Sequence, residues 1–142
     1  IVTSTPYPAL PRVALLAAGL ACASPPAAAE VAMTPEEFEA YSTGKTIYFR
    51  RQGQPYGAEQ YLPGRRTIWT FLGGQCIGGF WYAEGGNICF VYEDDPESQC
   101  WAFLVTEDGH AARPVSGLPL DDLEVIGETR EPLACDGPAI GA

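Results

Sequence analysis

The sequence predicts a mainly β protein: an antiparallel meander of about six to eight strands forming a small barrel or twisted half-barrel, with one short N-terminal helix and two disulfides. Three observations carry this. Segments alternating aromatic and polar residues recur from residue 45 onward. Turn signals rich in Gly, Pro and Asp interrupt them every eight to twelve residues or so. No β–α–β alternation occurs, so a parallel sheet is not expected.

Residues 1–29 read as a secretory signal peptide. Arg12 is the only charge before Glu30, Val13 to Ala23 is an apolar run of eleven residues, and Pro25-Pro26 leads into Ala27-Ala28-Ala29. Such a run is too short to span a bilayer, which needs ~20 residues. Cleavage after Ala29 leaves one β domain, residues 30–142. Without Arg12, 18 acidic side chains face 7 basic ones, a net charge of −11. That balance repels nucleic acid and anionic lipid. An alternative is a lipid anchor on Cys22, but Gly19 stands where lipoproteins usually carry Leu three places before the cysteine, and Leu20 comes one step late.

The mature chain opens with a helix over 35–42. Thr34 caps it, Pro35 suits its first position, Glu37 returns a capping-box bond, and Gly44 ends it in a left-handed turn. Phe38 and Tyr41 share a face and are expected to pack over one end or edge of a sheet. Strands follow over 45–51 and 54–62, with Pro63-Gly64 as a turn. The next cover 67–72 and 75–82, the latter weakened by Gly78 and Gly79, and Gly85-Gly86 turns the chain again. A strand over 87–93 is followed by a tight turn at Asp94-Asp95-Pro96 and a strand over 99–105. Weaker strands are expected over 110–115 and 123–126, then an extended tail over 132–142.

Cys76, Cys89, Cys100 and Cys135 are even in number and lack C-x-x-C spacing, and His110 is the only histidine. Two disulfides in an oxidising compartment fit better than zinc, and no metal or other cofactor is expected. If Asp94-Asp95 is a two-residue hairpin turn, cross-strand partners sum to 189 and Cys89 faces Cys100, leaving Cys76 with Cys135. Four cysteines allow three pairings, and spacing alone leaves the others open.

No nucleophile or metalloenzyme motif is present, and His110 follows a Glu-Asp-Gly turn expected at the surface. Catalytic residues are therefore not assigned. Glu84, Glu93, Asp94, Asp95 and Glu97 are the carboxylates that a small hydrolase or a calcium site would draw on, but they lack calcium-loop spacing and read as solvated turns. Arg50, Arg51, Arg65 and Arg66 supply four of the seven mature positive charges. Converging, they would grip a carboxylate, a phosphate or an acidic surface; apart, they pair with local acids. Phe80-Trp81-Tyr82 must send alternate side chains to opposite faces, which leaves an aromatic patch outside unless something covers it. The candidate contact set is Arg50, Arg51, Arg65, Arg66, Trp69 and Trp81.

The segments M-T-P-E-E-F-E-A-Y (33–41), P-Y-G-A-E-Q-Y-L-P-G-R-R (55–66), W-Y-x-E-G-G-x-I-C-F-V-Y-E (81–93), Q-C-W-x-F (99–103) and L-x-C-x-G-P (133–138) resemble a family of small exported proteins from alphaproteobacteria. The resemblance covers about half of the chain. It implies a bacterial source and export, and brings no activity, ligand or catalytic residue. The resulting expectation is a non-enzymatic periplasmic or envelope module that presents loops or an aromatic–arginine face to a protein or small ligand. The alternatives are an accessory subunit of a membrane-bound envelope complex and a carboxylate-based hydrolase.

Overall fold

The computed structural model describes residues 2–6, 8–11, 14, 19–24 and 30–135. Residues 13 and 15–18 of the proposed signal core, its cleavage site and the end of the tail (136–142) lie outside these residues. No helix among them is long and apolar enough to cross a membrane.

The strands are β1 (Val31–Ala32), β2 (Thr46–Arg51), β3 (Gln54–Leu62), β4 (Arg66–Phe71), β5 (Cys76–Glu84), β6 (Asn87–Tyr92), β7 (Asp95–Thr106), β8 (Gly109–Pro114) and β9 (Leu123–Thr129), with one helix, α1 (Pro35–Ser42). Strands β2 to β9 pair with their sequence neighbours, all antiparallel, and β9 returns to β2. The sheet is therefore a closed eight-stranded barrel rather than a half-barrel, and closure removes the exposed edges of a meander. The β8–β9 seam is the narrowest, with Ala111 opposite Glu124 and Ala112 opposite Leu123. Strand β1, absent from the sequence expectation, adds to the far end of β7, with Val31 opposite Val105.

Helix α1 forms as its local signals require. Thr34 Oγ1 accepts from the Glu37 amide and Glu37 Oε2 accepts from the Thr34 amide, while Gly44 adopts φ 83°. The helix plugs one end of the barrel. Phe38, fully buried, meets the rings of Tyr61, Trp81, Phe90 and Phe103 at centroid distances of 4.8–6.5 Å. Its neighbour Tyr41 donates to Glu128 on β9.

Alternation places Ile47, Phe49, Trp69, Trp81, Ile88, Phe90, Phe103 and Leu123 in the interior. Within 80–82 it is Trp81 that points inward, and Phe80 stays half-exposed outside. Both disulfides join the expected partners, Cys89–Cys100 and Cys76–Cys135. The hairpin turn itself is Glu93-Asp94, not Asp94-Asp95, because Tyr92 pairs with Asp95. A register shift then sets Val91 against Pro96, Glu97 and Ser98 and restores the sum of 189 at Phe90–Gln99. Pro96 has no amide to give the ladder, which suits it to a bulge. The tail crosses the outside of the sheet, where the Leu133 amide donates to Gln60 Oε1 before Cys135 reaches Cys76.

Candidate functional site

The inward residues do not fill the barrel. A cavity of about 290 Å³ lies between the α1 plug and the opposite end, where the β4–β5, β6–β7 and β8–β9 connections meet. Phe90, Phe103 and Tyr61 lie at its depth, Trp69, Trp101 and Ile77 form walls, and Tyr56, Phe71, Asp94, Asp95 and Gln99 stand toward the mouth. Two glycines make the wall geometry feasible. A Cβ on Gly57 would stand 2.6 Å from the Trp69 ring, and one on Gly79 would stand 2.8 Å from the Tyr92 ring.

Glu59 is the one carboxylate deep in this space. The β3 alternation that points Tyr61 inward does the same for Glu59, which is only 4% exposed. Tyr92 donates to Glu59 Oε1 at 2.8 Å, and Tyr61 donates to Oε2 at 3.2 Å. Loss of hydration on burial pushes the Glu59 carboxyl up to about 7, against the opposing pull of hydrogen bonding from Tyr92 and its neighbours. The Thr67 hydroxyl faces Glu59 in the same layer and adds to this pull, although its buried Oγ1 falls short of strict hydrogen-bond geometry. Burial also drives the Tyr61 and Tyr92 phenols well above their ordinary value, and the Glu59 charge adds to this. Among the described residues no Lys, Arg or His lines the cavity.

The six residues of the expected contact set do not come together. Arg51 pairs in register with Gln54 and Arg66 with Leu62, at opposite ends of β3. At ~3.3 Å per residue the two arginine pairs are roughly 26 Å apart. Arg50 pairs with Glu124 and Arg51 lies 3.9 Å from Asp121. Arg65 makes a two-nitrogen contact with Glu39 on α1 while its guanidinium lies 4.4 Å over the Trp81 ring. This contact holds the Glu39 carboxyl below its ordinary value. Among the described residues Arg66 reaches only the Pro63 carbonyl, at 3.5 Å. Trp69 lines the cavity, whereas Trp81 packs beneath the plug.

The remaining polar candidates are structural. Glu84 lies near Cys89 and Cys100, but those sulfurs are joined to each other and are not thiolate ligands. His110, expected at the surface, is half-buried on β8 with its ring 4.5 Å from Tyr41. Arg113 ties Asp122 to Glu30 and so fastens the segment just before β1 to the β8–β9 connection. No nucleophile–base pair is assembled among the described residues.

Sequence reasoning missed Glu59. Its signal was an acidic residue two places from Tyr61 in a strand otherwise free of charge, but alternation alone does not say which face is inside. Comparison with protein-family models, with curated proteins and with solved structures returned no match to this chain.

Proposed function

We propose that this protein is an exported binding module of the bacterial envelope that takes one small ligand into its barrel. The observation that carries the reading is the interior cavity of about 290 Å³, walled by aromatic rings and furnished with a single deep carboxyl group. Ligand sites are mostly apolar hollows of ~300–1,000 Å³ with few polar groups, so this one suits a molecule at the small end. Eight-stranded barrels have just enough interior for side chains or one small ligand. The two disulfides point to an oxidising compartment, and the signal-like leader and the family resemblance support the periplasm.

The test is native mass spectrometry of the exported protein, with a fragment screen read by thermal shift and by the fluorescence of Trp69 and Trp101. One small molecule should bind per chain and be lost on Ala112→Leu, which fills the cavity. A protein that neither carries nor is stabilised by any small molecule overturns the proposal.

A second reading, hydrolysis of a small glycoside, is favoured by the presence of Glu59, Asp94 and Asp95 along one cavity. A carboxyl group with a raised pKa is what a general acid needs. Turnover of nitrophenyl glycosides that disappears in Glu59→Gln would select it.

A further inference from the structure

We propose that the cavity recognises a small organic cation, a protonated amine whose ammonium group meets Glu59 and whose carbon body lies on the surrounding rings. This rests on the binding-module reading and names its ligand class. Three independent features converge on it.

The first is an incomplete set of partners. Glu59 receives two phenolic hydrogen bonds, one on each oxygen, and a carboxylate can accept about twice as many. Among the described residues no basic side chain lines the cavity, so none of them neutralises the Glu59 carboxylate.

The second is the chemistry of the walls. Trp69 stands directly opposite Glu59 in the β3–β4 register, and the rings of Phe90 and Tyr92 are stacked at 6.2 Å. Aromatic faces carry partial negative charge and attract ammonium groups.

The third is the mouth. Asp94 and Asp95 line it, on a chain of net charge −10. Such an opening concentrates cations and repels anions. A bare Ca²⁺ or Mg²⁺ ion does not fit, since it requires six or more oxygen ligands and the depth of this cavity is mostly carbon.

Ionisation of Glu59 makes affinity pH-dependent. The groups facing it are Tyr61 from β3, Thr67 from β4 and Tyr92 from β6, with Tyr41 behind Tyr61 on α1 and Asp94 and Asp95 at the mouth. No Lys, Arg or His stands among these groups. Cation affinity should therefore rise with pH and level off above about 7, the Glu59 value.

The experiment compares three probes of matched shape by calorimetry at pH 8: 2-phenylethylammonium, 2-phenylethanol and 3-phenylpropionate. The cation should bind at least about tenfold more tightly than the alcohol, and the anion least. Glu59→Gln should remove most of the cation's advantage over the alcohol. Should that variant not fold, the wild-type protein carries the test between pH 5.5 and 8, where cation affinity should climb and alcohol affinity stay flat. Alcohol or anion binding as tightly as the cation overturns the ligand class while sparing the binding reading. Failure of all three probes, with no fragment bound in the screen above, overturns both.

Discussion

Tyr92 on β6 donates its hydroxyl to Glu59 on β3 at 2.8 Å, across the barrel lumen and past two intervening strands. The bond joins residues 33 apart in sequence and holds a carboxyl group inside an aromatic core. Its consequence is a pH dependence of stability. Glu59 titrates at about 7 when folded and near its ordinary value of 4.5 when unfolded. Between those values the folded chain binds the extra proton, so Glu59 costs no stability below pH 4.5 and its cost grows as pH rises to about 7. The expected loss is on the order of 3 kcal/mol. Glu59→Gln should remove it, matching wild type at pH 5 and exceeding it at pH 8 in urea denaturation. Equal pH slopes for the two proteins would contradict this.

Phe38 should matter more than the helix that carries it. Its ring is fully buried against four other aromatics and closes one end of the barrel. Phe38→Ala should cost about 3–5 kcal/mol through lost contact and the void it leaves. Thr34→Ala, which removes only the cap, should cost about 1 kcal/mol. Similar urea midpoints for the two variants would show that α1 contributes by local helix stability and not as a plug.

What was legible in the sequence was local. The capping box at Thr34 and Glu37 lies within one helical turn, so its residues carry the whole signal. The Cys89–Cys100 pairing followed from hairpin arithmetic, which held because the register shift lies between that pair and the turn. What was hidden depends on the barrel as a whole. Strand β1 exists only because Leu104 and Val105, distant in sequence, offer an edge to pair with. The Arg50–Arg51 and Arg65–Arg66 pairs looked like neighbours because their strands are near in sequence, but β3 runs its full length between them. Glu59 was hidden because only closure of the barrel decides which side of β3 is interior.

The two disulfides should differ in weight. Cys76–Cys135 closes a separation of 59 residues and Cys89–Cys100 one of 11. The chain-entropy model assigns them roughly 4 and roughly 3 kcal/mol. The hairpin bridge should deliver less than its share, because the β6–β7 ladder already holds its ends together. Paired Cys→Ser variants compared by denaturation should therefore rank Cys76/Cys135 as the more costly loss. Amide exchange should also show Leu133 released from Gln60 in that variant alone.

Gly79 offers a way to move Tyr92 without touching its hydroxyl. A Cβ at Gly79 would stand 2.5 Å from the Val91 carbonyl oxygen and 2.8 Å from the Tyr92 ring, so Gly79→Ala forces β6 or the ring to withdraw. Overpacking of this kind costs about 1–3 kcal/mol. Gly127 has no atom within 4 Å of the same position, so Gly127→Ala should change stability by less than about 0.5 kcal/mol. The informative readout is the Glu59 titration, followed by carbon NMR of the carboxyl group. Tyr92 supplies the largest of the hydrogen bonds that hold Glu59 down, so displacing its ring should drive the titration above about 7. Gly127→Ala should leave it unmoved. A Glu59 titration unchanged in Gly79→Ala would mean that the phenol keeps its bond despite the crowding.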